Sequence, residues 1–209
     1  MAEPHLQLQL GANPRVDGPD GLARELAPLD AALLAWLALQ GPTPRARLAQ
    51  LLWPQKDGEV ARNALRQRLF HLRKNVGVDL VQGNVTLALV PGVVHDLDDA
   101  DTVLGDLQAE FSGEFAQWLE QQRTRRRDRV HRSLIELAEM AERAKDWDDA
   151  LAHAKELRSL EPLSEDAHRR VMRLHYLAGD RAAALLAFDH CEQVLKHEVG
   201  AKPSAQTIE

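Results

Sequence analysis

The chain has 209 residues, 44% of them hydrophobic and only 4% aromatic, and its 26 Lys and Arg face 32 Asp and Glu for a formal net charge of −6. That length holds one large or two small domains, each with its own core. No stretch approaches the roughly 20 unbroken apolar residues of a membrane span. Met1-Ala2-Glu3-Pro4-His5 lacks the basic head of a secretory signal, so a cytoplasmic protein is expected.

Leu6 to Leu10 alternates apolar and polar residues and reads as a strand, with Gly11 to Pro14 as a turn into Arg15-Val16-Asp17. Asp30 is placed to cap a helix from Ala31 to Gln40, stopped by Gly41-Pro42. A short helix follows from Pro44 to Leu52, ended by Trp53-Pro54, and Asp57 opens a longer one that closes near Val76-Gly77. Leu80-Val81, a turn at Gln82-Gly83-Asn84 and Val85 to Val90 then form a hairpin. Strand, three helices and hairpin make the winged-helix order, in which the third helix can enter a DNA major groove.

Charge supports that reading locally. Residues 1–95 carry a net +2 and residues 96–209 a net −8, and Val60 to Lys74 holds Arg62, Arg66, Arg68, Arg73 and Lys74 with no acid. A basic strip on one element matters more for DNA than the whole-chain sum. At 100° per residue, Ala61, Leu65, Leu69, Leu72 and Val76 share one arc, which must be the core face. Asn63, Gln67, Phe70 and Lys74 lie opposite, flanked by Arg66 and His71. Arg62 and Arg73 sit nearer the boundary with reach to phosphates, and Arg68 projects beside the apolar arc. Asn and Gln can pair with adenine, Arg with guanine, and Arg or Lys with phosphate. Any amphipathic helix also puts Arg and Lys on its wet face, so the pattern alone leaves a plain solvated helix open. Phe70 on that face calls for an apolar contact, either with thymine or sugar or with another protein.

From Asp96 to Gly105 the chain turns acidic and irregular and reads as a linker region, 96–107. Beyond it the pattern is helical, with a repeat. Asp146 and Asp180 lie 34 residues apart, and the offset holds for Ala150/Ala184, Leu151/Leu185, Ala154/Phe188, Leu157/Cys191 and Leu160/Val194. That period is the tetratricopeptide spacing. The expected fold is therefore mainly α with a small β component: a winged helix-turn-helix domain over 1–95, then a tetratricopeptide-like repeat over 108–209.

Leu51-Leu52-Trp53-Pro54, Ala61 to Gln67, Leu72-Arg73-Lys74, Trp118-Leu119-Glu120, Asp146 to Leu151 and above all Glu161 to Leu174 resemble the SARP regulators. These are activators with an OmpR-type winged helix and a bacterial transcriptional activation domain, and the likeness runs along essentially the whole chain. It implies promoter binding through a recognition helix at Glu59 to Asn75, with a wing tip at Gln82 to Asn84 approaching the minor groove or backbone. It also implies self-association on repeated half-sites and contacts from the helical repeats to RNA polymerase or another protein. Two features depart from the family: a shorter stretch between Glu110 and Trp118, and no Arg or Lys between Val78 and Val90. The chain stops where relatives begin a last short helix, and many continue into an ATPase or sensor domain, so a longer parent protein is expected.

Other chemistry is weakly represented. There is no phosphate-binding Gly-x-x-x-x-Gly-Lys-Ser/Thr loop, so nucleotide hydrolysis by this segment is not expected. The nine histidines show no metal-ligand spacing, and His131, His153, His168, His175, His190 and His197 are expected on helix surfaces or in grooves. Asp98-Asp99 and Asp101 lack the pattern of a calcium loop. Arg123 to Arg127 is expected to spread around a helix in ion pairs. Cys191, the single cysteine, excludes an internal disulfide or cysteine-cluster metal site and reads as a small buried hydrophobe. No cofactor is called for. A protein-interaction adaptor, whose winged helix no longer binds DNA, stays open beside the regulator; the net charge, the bare wing and Phe70 favour it.

Overall fold

A computed structural model of the chain describes residues 6–18, 20–107 and 110–208. The chain divides into two compact units, Met1–Arg127 and Asp128–Glu209.

The first unit opens with three short strands, β1 (Gln7–Gln9), β2 (Arg15–Asp17) and β3 (Ala23–Glu25). They are antiparallel in sequence, with Leu8 opposite Val16 and Val16 opposite Arg24. Then come α1 (Pro28–Gln40), β4 (Thr43–Pro44), α2 (Arg45–Leu52) and α3 (Gly58–Val76), followed by β5 (Val81–Gln82), β6 (Thr86–Leu89) and β7 (Val94–His95). The last strand returns to lie parallel to β1, giving one sheet in the order β3-β2-β1-β7. The second sheet, β4-β6-β5, is the wing. Strands β3 and β7 were not legible as strands in the sequence, since three and two residues are too few to show alternation.

Helix α1 is apolar nearly all round, and Ala31 to Leu37 are all buried, which makes it the central post of the core. It starts two residues before Asp30, at Pro28, with Ala27 as the N-cap and no side-chain cap hydrogen bond. Asp30 is thus inside the first turn and buried, so the expected cap is corrected.

The acidic stretch expected as a linker is packed into this unit. Leu97, Val103 and Leu104 are fully buried in the same core as α1. The Asp96 carboxylate accepts the backbone N–H groups of Leu10 at 2.7 Å and Gly11 at 3.2 Å. Gly105 closes against the turn after β1: at φ +45°, a Cβ there would lie 2.1 Å from the Ala12 carbonyl oxygen, so only glycine fits. The compact units divide beyond this stretch, inside the long helix α4 (Gly113–Ala144).

The early part of α4 belongs to the first unit and completes its core. Phe115 and Trp118 pack on Trp36 of α1 with ring centroids 5.9 and 4.8 Å away. Two arginines of the basic run are structural, a departure from the surface ion pairs expected of them. Arg123 donates to the carbonyls of Val103 and Gly105. Arg126, itself buried, donates to the Leu97 carbonyl at 2.6 Å. Only Arg127 follows the expectation, pairing with Glu120 on the surface.

In the second unit, the end of α4 precedes α5 (Trp147–Leu160), α6 (Glu165–Leu177), α7 (Arg181–Val199) and the single turn α8 (Ala205–Ile208). The 34-residue repeat is visible in its caps. Asp146 accepts from the Asp149 N–H at 3.2 Å to start α5, and Asp180 accepts from the Ala183 N–H at 2.9 Å to start α7. Ala141, Ala150, Leu151, Ala154, Val171, Leu174 and Ala187 form the core between the helices. Small residues at 150, 154 and 187 let the axes approach closely. Cys191 is buried, as expected, and burial pushes its thiol pKa up. His168 is not on the surface as expected: it is 1% exposed, its Nε2 2.9 Å from the Pro162 carbonyl.

Candidate nucleic-acid interface

Helix α3 is defined at both ends by its sequence. Asp57 precedes it, Glu59 lies in the first turn, and Arg73 and Lys74 lie in the last, so both termini complement the helix dipole. Gly77 ends it, its N–H on the Arg73 carbonyl at 2.8 Å. Ala61, Leu65, Leu72 and Val76 are buried, and Leu69 packs half-buried against the same core. The predicted core arc is the one observed.

One long-range contact fixes the rotation of α3 about its axis. Arg68 forks onto Asp30 of α1, with Nε to Oδ1 at 2.5 Å and Nη2 to Oδ2 at 2.8 Å. Burial pushes the Asp30 carboxyl above its ordinary pKa, and the hydrogen bonds from Arg68 pull against that shift. With Arg68 held inward, the opposite face turns outward. Arg62, Asn63, Arg66, Gln67, Phe70, His71, Arg73 and Lys74 are all exposed.

Phe70 is 65% exposed, with the His71 ring edge-on at 5.8 Å. Arg73 leans 3.4 Å from Asp79, which holds it at the helix end. The geometry thus gives an uncovered helix face carrying two amides, four cations, one imidazole and one aromatic ring. Such a set can donate and accept on base edges and neutralise phosphate.

The wing lies beside the start of α2. Strand β4 pairs with β6, with Thr43 opposite Leu87, and the Arg45 N–H donates to the Val85 carbonyl at 2.8 Å. The Arg45 guanidinium reaches the Asn84 carbonyl at 3.5 Å. A cation therefore stands at the wing tip although the hairpin's own sequence has none. Sequence reading missed Arg45, because it is 39 residues from Asn84 along the chain and only the β4–β6 pairing joins them. Gly83 makes the tip: its φ is +105°, and a Cβ there would lie 1.9 Å from the Thr86 carbonyl oxygen. Val85, beside it, is 80% exposed.

Among the described residues no cluster of His, Cys, Asp or Glu could hold a metal ion, and no helix is long and apolar enough to cross a membrane.

Comparison with known proteins places these observations. A structure of EmbR from Mycobacterium tuberculosis, in complex with a low-affinity phosphopeptide, has the same fold with a TM-score of 0.61 and 19% sequence identity. The match covers 99% of this chain and 64% of that one, so the chain spans less than two thirds of EmbR's length. A comparison with curated proteins finds no match. Residues 100–209 match the family described as bacterial transcriptional activator domain, which is the second domain that the SARP resemblance implies. A winged helix followed by helical repeats, this chain belongs to the bacterial transcriptional activator domain family.

Proposed function

We propose that the chain is a sequence-specific DNA-binding regulator, an activator, in which α3 lies in the major groove of promoter DNA. The observation that carries this reading is the outward face of α3: Asn63, Arg66, Gln67 and Lys74 are uncovered, and no acid lies between Val60 and Lys74. Arg66, Asn63 and Gln67 are assigned to base edges, and Arg62, Arg73 and Lys74 to phosphates. Phe70 and His71 are assigned to sugar or thymine-methyl contact at the groove edge. Arg45 supplies the wing with the phosphate anchor that its own strands lack. The domain boundaries proposed for this work are the winged helix through residue 95, the packed stretch 96–107, and the helical region from 108 on.

The helical repeats are assigned to protein partners, either a second copy on repeated half-sites or RNA polymerase, in the cytoplasm. The test is fluorescence polarisation of the chain against duplex DNA from the region upstream of its own gene, at low and moderate salt. With about six phosphates neutralised, affinity should fall roughly 10³-fold between 50 and 200 mM salt.

A second reading is an adaptor whose winged helix contacts protein in place of DNA. Phe70 at 65% and Val85 at 80% exposure favour it, since large exposed apolar groups also mark protein interfaces. It is the reading to adopt if no duplex binds at low salt.

A further inference from the structure

The second unit carries a groove of about 1320 Å³ between α6, α7 and α8. Its floor is apolar, with Phe188 half-buried and Tyr176, Leu185 and Ile208 at 58%, 69% and 63% exposure. Its rim carries Arg169, Arg170, Arg173 and Arg181 against one lining acid, Asp166. This is a basic groove on the acidic half of the chain.

The repeat explains why the groove is open. Leu185 stands 34 residues after Leu151, at the same position on α7 that Leu151 occupies on α5. Leu151 is buried in the core with Val171 and Leu174 of α6. Its counterpart has no helix over it among the described residues, so α7 presents the face that a further helix would cover.

We propose that this groove holds an acidic amphipathic helix of a partner protein. A helix about 10 Å across fits the volume for roughly two to three turns. Leu, Ile or Phe side chains on one face would meet Tyr176, Leu185 and Phe188, and Glu or Asp on the flanks would meet the arginines. Arg181 is the anchor: its guanidinium lies 5.7 Å from the Tyr176 ring centroid, and among the described residues it makes no ion pair. Arg173 and Arg170 reach Glu142 at 2.7 Å and Glu139 at 3.9 Å, and Arg169 reaches Asp166 at 3.1 Å. These exposed or half-exposed pairs are weak enough to exchange for a partner's carboxylates. An apolar floor with arginine and tyrosine at its edge has the composition of an interface centre, and it suits a peptide better than a nucleic acid strand.

The proposal rests on the reading of the repeats as a partner-binding module, and it is independent of DNA binding by α3. In the test, the full chain is titrated against a labelled peptide of about 16 residues, roughly four helical turns, with Leu and Phe on one face and Glu on the other. The controls are the same peptide with Lys in place of Glu and a single-stranded oligonucleotide. The Glu peptide should bind at least about tenfold tighter than the Lys peptide. Arg181→Glu and Leu185→Glu, both on exposed positions, should each weaken it about fivefold or more, whereas Lys155→Glu on α5 should not. Arg181→Glu should also narrow the preference against the Lys peptide.

Equal binding of the two peptides, tighter binding of the oligonucleotide, or unchanged binding by both groove variants overturns the proposal. Self-association that the Glu peptide does not displace overturns it too. Duplex polarisation on the same samples keeps the two readings apart, because a chain that binds peptide and no DNA refutes only the α3 assignment.

Discussion

Arg68 on α3 forks onto Asp30 on α1 through two hydrogen bonds, across 38 residues of sequence. This pair decides which side of the helix faces out. The Asp30 side chain is 9% exposed and that of Arg68 26%, so removing either partner leaves a charge that water can barely reach.

Arg68→Ala should therefore destabilise the first unit by about 3 kcal/mol, as expected when one partner of a buried pair is removed. The double variant Asp30→Leu, Arg68→Met should recover most of that loss, since no uncompensated charge remains. Arg66→Ala, one turn face away and exposed, should stay within about 0.5 kcal/mol of the parent. Urea denaturation of the three variants checks all of these, and equal stability of Arg68→Ala and Arg66→Ala would remove the pair from its structural role.

Base-reading and phosphate-neutralising residues should separate by specificity. Arg66→Ala should weaken binding to the cognate duplex by about 1–3 kcal/mol and leave random DNA nearly unchanged. Lys74→Ala should weaken both alike and lower the salt slope by about 1. Competition binding with cognate and random duplexes at three salt concentrations distinguishes them. An equal loss on both duplexes would demote Arg66 to a phosphate contact.

The wing should behave as a backbone anchor that depends on α2. Arg45→Ala should reduce affinity uniformly across sequences and reduce the salt slope by about 1. Gly83→Val should do more damage, because its side chain would collide with the Thr86 carbonyl at a positive φ. Both are read by the same polarisation assay alongside a melting curve, and an Arg45→Ala chain with unchanged salt dependence would free the wing from any phosphate role.

What the sequence revealed follows from distance along the chain. The core arc of α3 repeats every three or four residues, and the Asp146 and Asp180 caps sit at the heads of their own helices, so both were legible. Arg68 was rightly set aside as a DNA contact because it falls beside the apolar arc. Its partner was misread, since Asp30 placed before Ala31 has the local signature of an N-cap and only tertiary packing reveals the ion pair. The stretch 96–107 looked like linker because its aspartates mask three widely spaced core residues, Leu97, Val103 and Leu104. Arg45 at the wing and His168 in the second core were missed for the same reason: their environment is built by residues far away in sequence.

Acid should loosen the second unit before it reaches the range where carboxylates normally protonate. Glu165 accepts hydrogen bonds from the Thr207 hydroxyl at 2.5 Å, the Ser204 hydroxyl at 2.7 Å and the Ser204 N–H at 2.9 Å. These bonds, Thr207 first, lower its pKa to about 2. Burial of His168 lowers its pKa below the ordinary 6.5. Both groups bind protons more readily when unfolded than when folded, so each contributes stability above its ordinary pKa that is lost as pH falls. His168 should act first, below about pH 6.5, and Glu165 next, below about pH 4.5. Because Glu165 is largely open to solvent, its share is small and should show as earlier exchange of the Thr207 and Ile208 amides. Hydrogen exchange between pH 7 and 4 tests this, with Glu165→Gln expected to remove the lower step. A stability profile flat over that range would contradict it.

The most direct measurement is polarisation of an upstream duplex with the parent chain and with the double variant Arg66→Glu, Lys74→Glu, both first shown to melt alike. The account predicts salt-sensitive binding by the parent and a loss of at least about 100-fold in the variant, two reversed charges on the contact face. Equal affinity of the two proteins for the duplex, or no binding by the parent at low salt, would contradict it.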